Sequence, residues 1–134
     1  AFAKISIRLV PEQNHEEISN RFEEYFRSIA PSCVKVKVSH LHGGESYISP
    51  VDSRAYQAAS RAYEAVFGKK PIPVRSGGSI SIVSTFDRVL GIYSILMGFG
   101  LESDAIHSPN ENFPLVNFFK GIETISYFYK YYCS

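Results

Sequence analysis

The hydrophobic period of the first forty residues changes twice, and this constrains the fold more than any single motif. Ala3, Ile5, Ile7 and Leu9 alternate with Lys4, Ser6 and Arg8, the period-two pattern of a half-buried strand, which Pro11 ends. Asn14 followed by Glu17 has the spacing of a capping box, and Ile18, Phe22, Tyr25, Phe26 and Ile29 then recur at helical spacing up to Pro31. Val34, Val36 and Val38 alternate with Lys35, Lys37 and Ser39 and return the chain to period two. The expectation is a strand-helix-strand unit, a crossover that is normally parallel and right-handed.

After the break at His42, Gly43 and Gly44, Asp52 or Ser53 can cap a helix that carries Ala55, Tyr56, Ala59, Ala62, Tyr63 and Val66 on one stripe and stops at Gly68. A short strand is expected at 72–75, a short helix with Ile82, Val83, Phe86 and Val89 after the Gly77-Gly78-Ser79 turn, and a buried strand over 92–99. An irregular polar loop over 100–113 leads to Pro114 and a long final helix whose apolar face is Leu115, Phe118, Phe119, Ile122, Ile125 and Tyr129. The order is that of an α/β protein, with a boundary placed at residue 44 between a first part, 1–44, and a second, 45–134.

Composition excludes several classes of function. With 134 residues, 45% of them hydrophobic and 20% charged, the chain suits one compact body and not a disordered tail. The 14 basic and 13 acidic residues leave a formal charge of +1 and no basic stripe, which argues against a general nucleic-acid binder. No apolar run reaches the roughly 18 to 20 residues of a membrane span, and no signal peptide is visible. Cys33 and Cys133 are too few for a disulfide framework or a cysteine-based zinc module, so a reduced, cytoplasmic setting is expected. Met97 is the only methionine, and the chain is expected to be a piece of something longer.

Few residues stand out as carriers of chemistry. Arg8 on the polar side of its strand can offer a guanidinium fork to a carboxylate, although an exposed arginine there needs no function. Gly77, Gly78 and Ser79 can present free N–H groups to an anion, or simply punctuate the chain. His15 reads as solvated in a first helical turn. His40 and His42 share one face two residues apart, where a metal pair competes with an ordinary polar strand end. His107 lies in the irregular loop between Asp104 and Glu111, and Pro109 opposes a helix that would align all three for a local metal site. What remains for His107 is the role of one ligand in a site completed elsewhere. No catalytic triad is visible.

Ser6-Ile7-Arg8-Leu9-Val10-Pro11, Leu41-His42-Gly43-Gly44, Arg75-Ser76-Gly77-Gly78-Ser79-Ile80, Met97-Gly98-Phe99-Gly100 and His107-Ser108-Pro109-Asn110-Glu111, in this order, resemble the zinc metallopeptidase family of carnosine dipeptidase, cytosolic nonspecific dipeptidase, aminoacylase and succinyl-diaminopimelate desuccinylase. The dipeptidase branch fits best, and the resemblance runs through the whole chain. It implies that His107 is a ligand of one of two zinc ions, for which manganese or cobalt can substitute, with Asn110 and Glu111 supporting its loop. It also implies that Arg8, Gly78 and Ser79 hold the terminal carboxylate of a dipeptide or N-acyl amino acid.

The implied architecture is the second half of a ferredoxin-like lid, which is a dimerisation surface, followed by the carboxy-terminal part of an α/β catalytic domain. Ser81 departs from the branch, which usually has proline there. The family's other metal ligands and its general base have no counterpart, so no catalytic residue is assigned and the chain alone is expected to be inactive, with no zinc held tightly. The rival expectation is a non-enzymatic α/β module for dimerisation or for binding a small anion through Arg8.

Overall fold

The computed structural model describes residues 1–75 and 80–134, so the Gly77-Gly78-Ser79 turn lies outside the described residues. Contacts group the chain into two units, Ala1–Ile48 with Arg75–Ser94, and Ser49–Val74 with Ile95–Ser134.

The first unit contains α1, His15–Ser28, and α3, Ile82–Leu90. Asn14 caps α1 as its spacing predicts: its Oδ1 accepts from the backbone N–H groups of Glu16 and Glu17 at 2.9 and 3.0 Å. Gly91, at φ 63°, ends α3, and Val83 is the buried residue of that helix.

The second unit contains α2, Arg54–Phe67, a 3₁₀ turn at Glu102–Asp104, and α4, Leu115–Cys133. Ser53 caps α2, its hydroxyl accepting from Tyr56 N–H at 3.2 Å, and Gly68 closes it at φ 71°. α2 packs against α4. The buried positions of the two helices are small residues, Ala58, Ala59, Ser60 and Ala62 of α2 and Gly121 and Thr124 of α4. Small side chains let two backbones approach closely, and longer ones close the margins: the Arg61 guanidinium lies 4.3 Å from the Tyr131 ring centre, and Arg54 Nη2 donates to the Tyr132 carbonyl at 2.6 Å.

The final helix forms as expected, with Leu115 and Phe119 of its apolar face 72% and 64% exposed and Gly121 and Thr124 covered. Hydrophobic periodicity identifies an apolar face and not what meets it. One expectation is corrected: the strand-helix-strand lid is not borne out, because among the described residues no strand forms at 3–10, 34–38, 72–75 or 92–99. A strand requires a ladder partner, whereas here side chains take backbone groups that a ladder would use. Val10 N–H donates to Gln13 Oε1 at 3.1 Å, the Val36 carbonyl accepts from Arg27, the Tyr47 hydroxyl bonds both backbone groups of Ser94, and the Gly98 carbonyl accepts from the Tyr63 hydroxyl at 2.8 Å. Burial pushes the Tyr63 phenol up to about 12. Ala3, Ile5 and Ile7 are exposed like Lys4, Ser6 and Arg8, so the alternation over 3–10 gives neither a sheet nor a buried side.

Candidate functional site

The loop of the second unit that carries His107 is built around Asp104. Asp104 is only 1% exposed. Its N–H donates to the Leu101 carbonyl at 3.0 Å, its Oδ2 accepts from Leu101 N–H at 2.7 Å, and its carbonyl accepts from Asn112 N–H at 3.0 Å. One residue thus holds both ends of the segment. Between these ends the backbone enters the left-handed region at Ala105, His107 and Asn110, with φ of 52°, 64° and 64°. Turn bonds from Ser108 N–H to the Ala105 carbonyl at 2.9 Å and from Glu111 N–H to the Ser108 carbonyl at 3.2 Å support this path. Non-glycine residues adopt this conformation at a cost, so it persists where surrounding contacts impose it.

His107 is exposed on this loop, as are Asn110 and Glu111. Asn110 accepts from Asn112 Nδ2 at 3.2 Å through its carbonyl, and Glu111 joins the turn through its N–H, so both support the loop by main-chain bonds. An exposed imidazole suits a metal ligand. Among the described residues, however, no group of three or more His, Cys, Asp or Glu stands ready to hold a metal ion. Among the described residues, His107 therefore does not make a metal site with its neighbours.

Of the other expected residues, Arg8 belongs to the first unit and is exposed, while Gly78 and Ser79 lie outside the described residues. His40 and His42 line a cleft of about 400 Å³ together with His15, Glu16, Ser19, Asn20, Leu41 and Gly43. His40 Nε2 is 2.9 Å from Glu23 Oε2, and the second oxygen of Glu23 accepts from Arg27 Nε at 2.8 Å. The Arg27 hydrogen bond is the main influence holding the Glu23 carboxyl below its usual value of 4.5, and His40 adds to it.

The sequence reading missed two residues. His15 is not simply solvated: its ring packs against Gly43, and its Nδ1 is buried without a hydrogen-bond partner. The glycine pair was the available signal for so close an approach. Asp104 gave no signal of burial, since aspartate is seldom buried without a partner. Both cysteines are free and exposed. Among the described residues, no helix is long and apolar enough to cross a membrane.

The sequence pattern of peptidase family M20/M25/M40 matches residues 3–131. Cys-Gly metallodipeptidase DUG1 of Saccharomyces cerevisiae is 32% identical over 135 residues, an alignment that covers 98% of this chain and 28% of that protein. The Beta-Ala-His dipeptidase of Homo sapiens is 32% identical over 130 residues, covering 94% of this chain and 25% of that protein. The solved structure of the di-peptidase Dug1p from Saccharomyces cerevisiae superposes with a TM-score of 0.82 at 27% identity, over 98% of this chain and 31% of the Dug1p chain. The chain therefore spans about a quarter to a third of the length of the proteins it matches.

Proposed function

The chain belongs to peptidase family M20/M25/M40, and on that premise we propose that it is part of a longer two-zinc amidohydrolase that cleaves dipeptides. The observation that carries this reading is the alignment with a metallodipeptidase over 98% of the chain, joined to an exposed imidazole, His107, on a loop closed at both ends. In this reading residues 1–44 are the second half of a lid that pairs two subunits, and residues 45–134 are the carboxy-terminal part of the catalytic domain.

His107 is the metal ligand contributed by this part of the protein, and Asn110 and Glu111 hold its loop. Arg8, together with Gly78 and Ser79, takes the substrate's terminal carboxylate, which a guanidinium fork and free N–H groups suit, and so fixes the distance from that carboxylate to the scissile bond. The chemistry that zinc, manganese or cobalt supplies at such a centre is activation of a bound water and polarisation of the scissile carbonyl. Dipeptides and N-acyl amino acids share the features this arrangement reads, a free carboxylate one residue from an amide. Two free, exposed cysteines accord with work in the reducing cytoplasm.

Calorimetric zinc titration tests the reading. The isolated chain is expected to show no tight binding, whereas a mixture with the separately expressed upstream half binds zinc and hydrolyses dipeptides. His107→Ala in the full-length protein is expected to abolish hydrolysis. Tight zinc binding by the chain alone, or undiminished hydrolysis by the His107→Ala protein, would overturn it.

A further inference from the structure

We infer that Asp104 is a positioning residue for His107, a role that rests on the reading of His107 as a metal ligand. The argument begins with an anomaly. A carboxylate that is only 1% exposed belongs to a residue type that avoids burial, and its Oδ1 is buried without a hydrogen-bond partner. Such a group is retained where something else depends on it. Here the dependent element is the loop: the carboxylate takes Leu101 N–H, while the main chain of Asp104 bonds the Leu101 carbonyl at one end and Asn112 N–H at the other.

His107 lies three residues beyond Asp104 inside the closed segment, and its φ of 64° departs from what an L residue prefers. That backbone angle sets the direction in which the imidazole leaves the chain. If the carboxylate no longer takes Leu101 N–H, the turn at 101–104 keeps only its main-chain bond, the left-handed residues Ala105, His107 and Asn110 can relax toward ordinary dihedral angles, and the imidazole turns away from the direction it must share with the other ligands. Gly100 completes the arrangement: a Cβ there would stand 3.3 Å from Ile106 Cδ1 and 3.8 Å from Asp104 Oδ2, so the chain passes close over the carboxylate. Asp104 thus acts through the backbone and touches neither metal nor substrate. Residues that orient a ligand in this way typically change metal affinity ten- to a hundred-fold when removed.

The test uses the full-length protein loaded with cobalt(II), whose visible absorption reports ligand geometry independently of turnover. Asp104→Ala is expected to weaken metal affinity about ten- to a hundred-fold and to alter the cobalt spectrum. Asp104→Asn retains an oxygen to accept from Leu101 N–H and is expected to restore both. His107→Ala, run in parallel, is expected to remove one cobalt. If His107→Ala loses a metal while Asp104→Ala keeps affinity and spectrum, His107 is a ligand and the positioning role is overturned. If His107→Ala keeps both metals, the ligand reading fails and this inference falls with it. Should Asp104→Ala not fold, Asp104→Glu keeps the charge and displaces it by one methylene; a shifted spectrum supports the role, and an unchanged spectrum and affinity overturn it.

Discussion

The hydroxyl of Tyr47 bonds both backbone groups of Ser94: it accepts from the Ser94 N–H at 2.9 Å and donates to the Ser94 carbonyl at 3.1 Å. One side chain here does the work of a ladder partner, tying residues 47 positions apart within the first unit. Both groups are only partly buried, so water can replace some of what is lost when the hydroxyl is removed.

Tyr47→Phe is therefore expected to destabilise the first unit by about 1–2 kcal/mol, the sum of two modest net hydrogen bonds. The sharper measurement is hydrogen exchange at the Ser94 amide in the full-length protein. That amide is expected to exchange about tenfold faster in the variant, since about 1.4 kcal/mol corresponds to a factor of ten. Unchanged exchange at Ser94 would show that the hydroxyl adds nothing to local protection.

How much of this was legible in the sequence depends on whether the controlling contact is local. Asn14, Ser53, Gly68 and Gly91 bound their helices as their residue types suggest, because a cap bonds within a few residues of itself. The pairing of extended segments is not local. Nothing within 92–99 reveals that Tyr47 takes Ser94 and Tyr63 takes Gly98, so a strand was expected where none forms among the described residues. α4 shows the same limit from another side: its apolar face was plain, but its buried positions are the less conspicuous Gly121 and Thr124. For the site, the sequence singled out His107 through its irregular loop and a family resemblance. The burial of Asp104, which shapes that loop, follows from three-dimensional closure and leaves no pattern in a one-dimensional string.

Glu23 gives the first unit a defined pH response. Arg27, above all, and His40 hold its carboxyl below 4.5, so the folded state binds this proton less readily than the unfolded chain does. The sign follows directly: the stabilisation is present above 4.5 and is lost as pH falls through the lowered folded value. Glu23→Gln, which cannot ionise, lacks this contribution at every pH. Denaturant titrations of both proteins across acidic pH are expected to show wild type ahead near neutrality and the difference shrinking as the carboxyl is protonated. A difference that stays constant down to the lowest pH would mean that Glu23 acts through packing and not through its charge. The Glu23 side chain is 27% exposed, so added salt is expected to diminish the effect in part.

Gly43 and His15 form the tightest approach in the cleft of the first unit, and they make the least forgiving substitution predicted. A Cβ at Gly43 would overlap the His15 ring, reaching Cγ at 2.9 Å and Cδ2 closer still. A ring yields less readily than the end of a flexible chain, and His15 starts the first turn of α1, so relief requires moving the helix start or the 40–43 segment. Gly43→Ala is expected to cost about 1–3 kcal/mol, the usual range for overpacking. The cause is separable by a double-mutant cycle in thermal or denaturant unfolding. Against a background of His15→Ala, which removes the ring, Gly43→Ala is expected to cost much less, with a coupling of about 0.5–3 kcal/mol between the two sites. Full additivity would place the cost of the alanine in the backbone of residue 43. Gly121→Ala serves as the contrast, because its Cβ would meet the Phe99 ring only at 3.3 Å and beyond, a contact that a slight shift of the ring can accommodate. The predicted order of destabilisation is therefore Gly43→Ala above Gly121→Ala, and the reverse order would refute the steric account of the cleft.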